Sequence, residues 1–187
     1  MMRTTILGFF LGTIVIATAY ATPAQVIIIR HAEKPPEGNH LSLKGYERAA
    51  ALVPYFLGDP ELLKFGTPSS VFATKPSGPN DSYRPIETVE GVAKALKLNL
   101  IAKYERLEYP IMVKEILKNA EYDGKMILIA WEHKVIPNIT EAFGVQNAPK
   151  EWHGDTFDRT WIITFLPDEK TEFQNLPQRL MFGDSSE

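Results

Sequence analysis

Two uninterrupted apolar runs, Val26-Ile27-Ile28-Ile29 and Met126 to Trp131, constrain the fold of this 187-residue chain more than any other feature. Neither alternates with polar residues, so neither can lie with one face in water. Such runs are strands buried on both faces, the pattern of a parallel sheet covered by helices. Ser70 to Thr74 reads as another strand, Leu98 to Tyr104 holds a short one, and Thr160 to Phe165 reads as the last. Helices are expected between them. The first is capped by Ser42, with Leu43, Tyr46, Ala50, Val53 and Leu57 as its inward stripe and Pro54 kinking its last turn. The second spans Glu87 to Leu98, and the third opens at Pro110 and closes at Asp123-Gly124. Strands alternating with helices predict a three-layer α/β/α sandwich. In such sheets ligands gather beyond the carboxyl ends of the strands.

The amino terminus reads differently. Arg3 is the only charge before an apolar stretch from Ile6 to Ala17, and Ala19-Tyr20-Ala21 offers small residues at the exit. This is the pattern of a secretory signal peptide. The apolar stretch is shorter than the roughly 20 residues that span a bilayer. Residues 1–21 are therefore expected to be a signal peptide, residues 22–187 one domain, and the protein secreted or periplasmic. Removing 21 of 187 residues leaves 166, with 19 basic and 23 acidic side chains once Arg3 is gone. That acidic balance, without a polybasic segment, disfavours nucleic acid and, after cleavage, membrane partners. The absence of cysteine excludes disulfides, thiolate nucleophiles and Cys-ligated zinc. The residues after Phe182 read as disordered.

Chemistry-bearing residues fall where the sheet should deliver them. Arg30-His31-Ala32-Glu33-Lys34 follows the first strand, Glu132-His133 follows Trp131, and a Pro/Gly/Ser/Asn loop after the second strand leads to Arg84. Phosphoryl transfer through histidine needs this inventory. A neutral imidazole attacks phosphorus, and guanidinium groups grip the non-bridging oxygens. A nearby carboxylic acid protonates the leaving oxygen. Glu33 can orient Arg30 or touch substrate, and Lys34 can attract anions from the rim. His40 and His153 carry no expected chemistry.

The ordered blocks resemble the histidine phosphatase superfamily, which includes phosphoglycerate mutases. Val26 to Leu52 is similar to the family's strand, Arg-His dipeptide and following helix, with Leu41-Ser42-Leu43-Lys44-Gly45-Tyr46-Glu47-Arg48-Ala49 as the second part. Ser82-Tyr83-Arg84-Pro85-Ile86-Glu87-Thr88 resembles the next block, and His133 follows a late strand as the family's second histidine does. The resemblance implies a phosphoglycerate mutase-like fold and a phosphomonoesterase working through a phosphohistidine on His31. It also implies that Arg30 and Arg84 bind phosphate, that His133 completes the pocket, and that no metal or other cofactor is needed. The chain departs from the family around the proton donor. Glu132 ranks first for that role and Glu108 second, with Glu105 also in the middle segment.

Three other functions are open to such a chain. A metal hydrolase is disfavoured because no His-x-x-x-His spacing occurs and basic residues adjoin His31 and His133. A mutase needs a shielding lid, and the segment between Arg84 and Met126 has no room for a large cap. An exported domain that binds phosphate-bearing ligands without turnover is the third. The expected partner is a small phosphorylated substrate or a phosphopeptide, and the sequence is silent on oligomeric state. If export occurs as read, amino-terminal sequencing of the secreted protein should begin at Thr22; an intact Met1 in a membrane fraction would contradict it.

Overall fold

In a computed structural model, which describes residues 22–167 and 170–186, six strands form one mixed sheet in the order β3-β2-β4-β1-β5-β6. The proposed signal peptide lies outside the described residues. The strands are β1 (Gln25–Arg30), β2 (Ser70–Ala73), β3 (Leu100–Ile101), β4 (Met126–Trp131), β5 (Arg159–Phe165) and β6 (Thr171–Pro177). The first four run parallel, and β5 pairs antiparallel with both β1 and β6. Both apolar runs sit in the middle of the sheet, with every residue of β1 and β4 buried.

Side chains alternate across the sheet, so each central strand feeds two cores. Ile27, Ile29, Leu128 and Ala130 face α1 (Leu43–Gly58) and α2 (Arg84–Ala95), meeting Leu52, Phe56, Val89 and Val92. Val26, Ile28, Ile127 and Ile129 face α3 (Tyr109–Ile116) and α4 (Ile136–Ala142), meeting Met112, Ile116 and Ile139. The result is the expected three-layer α/β/α sandwich. Among the described residues no large cap interrupts it between Arg84 and Met126.

The structure corrects several expectations. Helix α1 does not bury the stripe that begins Leu43 and Tyr46; these two are 78% and 47% exposed. Its buried face is Gly45, Arg48, Ala49, Leu52, Tyr55 and Phe56. An arginine lies in the middle of that face, which is why an apolar stripe pointed elsewhere. The helix also runs through Pro54 to Gly58. Thr160–Phe165 is not the last strand, because β6 follows as an exposed edge. Helix α4 was not foreseen; it has seven residues and Pro137 in its first turn.

Nor is the segment after Phe182 free of structure. Arg48, 2% exposed, donates from Nη2 and Nη1 to the Asp184 carboxylate at 2.7 and 2.9 Å. From Nη2 and Nε it donates to Glu33 at 2.8 and 2.9 Å, and from Nη1 to Gln178 at 3.0 Å. The block that begins at Leu41 has a structural reading throughout. Leu41 and Ala49 pack on Ala32, and Ser42 caps α1 by accepting from the Gly45 N–H. Ser42 also donates from its N–H and its hydroxyl to the Glu33 carbonyl. A β-carbon on Gly45 would lie 2.3 Å from that same oxygen, so only glycine admits the approach. Replacing Arg48 strands two carboxylates away from water. Arg48→Met should therefore cost about 3–5 kcal/mol of unfolding free energy, read from urea denaturation; a loss near zero would mean that the cluster is not holding the loop.

Candidate active site

Because β1, β2 and β4 are parallel, their carboxyl ends open on one edge of the sheet. There a cavity of about 260 Å³ is lined by His31, Thr74, Ser82, Arg84, Arg106 and Glu132, among others. Three of the expected site residues thus meet in one cleft. His31 follows directly on β1, and its N–H donates to the Trp131 carbonyl at 3.1 Å, extending the β1–β4 ladder by one bond. The Ala32 N–H donates to Thr88 Oγ1 at 2.8 Å, and that hydroxyl donates to the Arg84 carbonyl at 2.7 Å. One buried threonine on α2 therefore joins the histidine loop to the arginine turn.

His31 is 4% exposed, and its Nδ1 lies 2.7 Å from the Ala32 carbonyl. A carbonyl can only accept, so the neutral ring carries its proton on Nδ1 and keeps the lone pair on Nε2. Burial, reinforced by the charges of Arg30, Arg84 and His133, depresses the imidazole to about 3, against the smaller opposing effect of the Ala32 bond. The ring is neutral at ordinary pH.

Arg84 lines the cleft at the start of α2. Its Nε donates to the His40 carbonyl at 2.9 Å, its Nη2 to the Gly38 carbonyl, and its Nη1 weakly to Ser82 Oγ at 3.4 Å. His40 sits behind Arg84 rather than on the cleft wall. It pairs with Glu87 at 2.5 Å and stacks on Tyr83. Glu132 also lines the cleft, 3.4 Å from Arg106 and 3.5 Å from His133 Nδ1.

Arg30 does not line this cavity. Its guanidinium is 2% exposed and donates from Nη1 to the carbonyls of Gly154 and Thr156 at 2.8 and 2.9 Å. The Phe157 ring lies 3.8 Å from its central carbon. Its Nε is buried without a hydrogen-bond partner, and burial lowers its pKa to about 10. His133 stands beside the cleft and lines an adjoining cavity instead. Burial first, then Arg30, lowers its pKa. Lys34 is exposed.

Two placements revise the sequence reading. Glu33 neither orients Arg30 nor faces the cleft, because both its carboxylate oxygens accept from Arg48 and Lys44 lies 3.7 Å away. Glu108 is exposed, and its Oε2 accepts the Glu105 N–H at 2.9 Å, closing the turn ahead of α3. Glu105 lies 3.8 Å from Lys75. The residue that sequence reasoning missed is Arg106. The buried Trp131 donates from Nε1 to the Arg106 carbonyl at 3.1 Å, and this fixes the turn that presents its side chain. No motif marks it; a basic residue within the Glu105–Glu108 turn was the only signal.

No family model matches the chain, and no curated protein does either. Solved structures do. The alpha-ribazole phosphatase of Shigella flexneri aligns over 84% of this chain and 98% of its own, at 15% identity and a TM-score of 0.55. A protein provisionally assigned as the phosphohistidine phosphatase SixA of Agrobacterium tumefaciens aligns over 82% and 98%, at 12% identity and a TM-score of 0.54. The phosphoglycerate mutase of Bacillus anthracis str. Sterne aligns over 83% and 93%, at 13% identity and a TM-score of 0.51. The chain has a phosphoglycerate mutase-like fold.

The depressed His31 pKa has a signed consequence. An unfolded histidine binds its proton near pH 6.5 and the folded one only near 3, so the unfolded state takes up more protons as pH falls. Stability attributable to His31 is present above pH 6.5 and is lost progressively toward pH 3. Nitrogen-detected NMR should find the His31 ring uncharged from pH 8 to 5. The urea midpoint of His31→Asn should fall less on acidification than that of the wild type. A ring midpoint near 6.5 would refute the electrostatic account.

Proposed function

We propose that the protein hydrolyses phosphomonoesters through a phosphohistidine on His31, without a metal. The observation that carries this reading is the neutral His31, its Nδ1 committed to Ala32, at the floor of a cleft walled by Arg84, Arg106 and Glu132. A nucleophilic imidazole must present one unprotonated nitrogen, and here the backbone selects which. Nε2 attacks phosphorus as the ester P–O bond breaks. The leaving oxygen takes a proton from Glu132, the carboxyl group among the three donor candidates that lines the cleft. Glu132 then removes a proton from the water that attacks the phosphohistidine, releasing inorganic phosphate and restoring the imidazole.

The guanidinium groups stabilise charge on the phosphoryl oxygens in place of a metal. Arg84 and Arg106 stand in the cleft wall, while Arg30 lies behind it, holds the 153–156 backbone and adds positive charge near His31. The open cleft favours water over a second substrate as the acceptor, hence hydrolysis over mutase chemistry. Small phosphorylated molecules or phosphopeptides fit this reading, as does an exported, secreted or periplasmic protein.

His31→Ala should abolish turnover of p-nitrophenyl phosphate, and dialysis against EDTA should not. Wild-type protein mixed with substrate should carry an acid-labile, base-stable label on the His31 peptide; label on serine or aspartate would overturn the mechanism. Glu132→Gln should slow alkyl phosphates by about 10²–10⁴-fold yet leave esters of acidic phenols nearly normal, because those depart without a proton. Equal slowing of both would remove Glu132 from the donor role.

A further inference from the structure

Among the described residues four threonines are buried, Thr74, Thr88, Thr140 and Thr160. Three of their hydroxyls are hydrogen-bonded within the protein. Thr88 receives the Ala32 N–H and donates to the Arg84 carbonyl. Thr140 donates to the Ile136 carbonyl at 2.9 Å, and Thr160 Oγ1 shares a 3.2 Å bond with the Tyr55 hydroxyl. Thr74 is the exception. It is 7% exposed, and its Oγ1 is buried without a hydrogen-bond partner. Gln25, Arg30 and His133 also bury an unpaired side-chain atom, but of these residues Thr74 alone lines the His31 cleft.

The strand register carries this side chain to the site. Ala130 of β4 pairs with Ala73 on one side and Ile29 on the other, so Thr74 and His31 lie one and two residues beyond a common rung. The backbone there is fixed, since the Lys75 N–H donates to the Tyr104 carbonyl at 2.7 Å. Nothing in the packing calls for a hydroxyl at this point. Valine has the same branched shape and suits a buried strand end, whereas a buried hydroxyl without a partner destabilises the folded chain. One turn about χ1 exchanges hydroxyl and methyl, which brings the oxygen round to the cleft face of the side chain.

The cleft is short of such a donor. His31 gives its one ring N–H, at Nδ1, to Ala32. Arg84 commits Nε and Nη2 to the carbonyls of His40 and Gly38, which leaves Nη1, held only weakly by Ser82. Arg106 lies 3.4 Å from Glu132. We propose that the Thr74 hydroxyl is a phosphoryl-binding donor, unpaired in the free protein and donating to a non-bridging oxygen once a phosphoryl group enters the cleft. The inference rests on the phosphoryl-transfer reading of His31. It adds a neutral donor to the guanidinium groups, and its hydrogen can rotate to whichever oxygen they leave unpaired.

Calorimetric titration with inorganic phosphate reads this contact without turnover. Thr74→Val keeps the branched shape and removes the hydroxyl. It should weaken phosphate binding by about ten- to a hundredfold, the range for a hydrogen bond to an anion, with the urea midpoint unchanged or raised. Thr74→Ser keeps the hydroxyl and removes the methyl, so it should bind phosphate like the wild type although its midpoint falls. Thr160→Val strands the Tyr55 hydroxyl instead, and should lower the midpoint without changing phosphate affinity. Unchanged affinity in Thr74→Val, or equal weakening in Thr74→Val and Thr74→Ser, would overturn the assignment. The two readings fail separately. Phosphate binding that depends on Thr74 in a protein that never acquires label on His31 keeps the contact and removes the phosphohistidine. A labelled His31 with phosphate affinity indifferent to Thr74→Val does the opposite.

Discussion

A single buried guanidinium, that of Arg48, fastens together three stretches of chain, one of them the loop that follows His31. It projects from α1, grips Glu33 two residues after His31, and grips Asp184 and Gln178 beyond β6. A cation 2% exposed is tolerable only because two carboxylates and an amide surround it. Those carboxylates are equally dependent on it. Glu33 in turn offers its carbonyl to Ser42, and Gly45 leaves room for that bond. The loop after His31 is thus held from the α1 side by charge and from the α2 side by the Thr88 hydroxyl.

That support matters because the cleft holds a neutral imidazole among cations. Arg30 and Arg84 repel a proton on His31, and burial does so more strongly. Placing arginines near this imidazole thereby serves two ends. They favour an anionic ligand, and they keep the imidazole neutral. The bond from Nδ1 to Ala32 completes the arrangement by selecting the tautomer.

The central strands were readable because they are buried on both faces and are built on uninterrupted apolar runs. The order Arg30-His31, Arg84, His133 was readable because strand ends place residues by topology alone. The inner face of α1 was not. Periodicity counts apolar residues, and Arg48 occupies the centre of the buried stripe while Leu43 and Tyr46 lie outside it. Strand β6, Thr-Glu-Phe-Gln-Asn-Leu-Pro, is an exposed edge whose polar residues resemble a loop. Helix α4 is too short for a period to emerge. Glu33, Glu108 and Asp184 were misjudged for one reason: a carboxylate's role depends on its partner. Arg48 lies 15 residues from the first and 136 from the last.

That separation of 136 residues makes the Arg48–Asp184 pair a non-local contact, one whose loop-closure entropy is offset only when β4, β5 and β6 are in place between its ends. Without Asp184, α1 carries a guanidinium with half of its counter-charge, a poor occupant for a dry interior. The support of the loop bearing His31 is thereby tied to a stretch of chain that lies beyond β6.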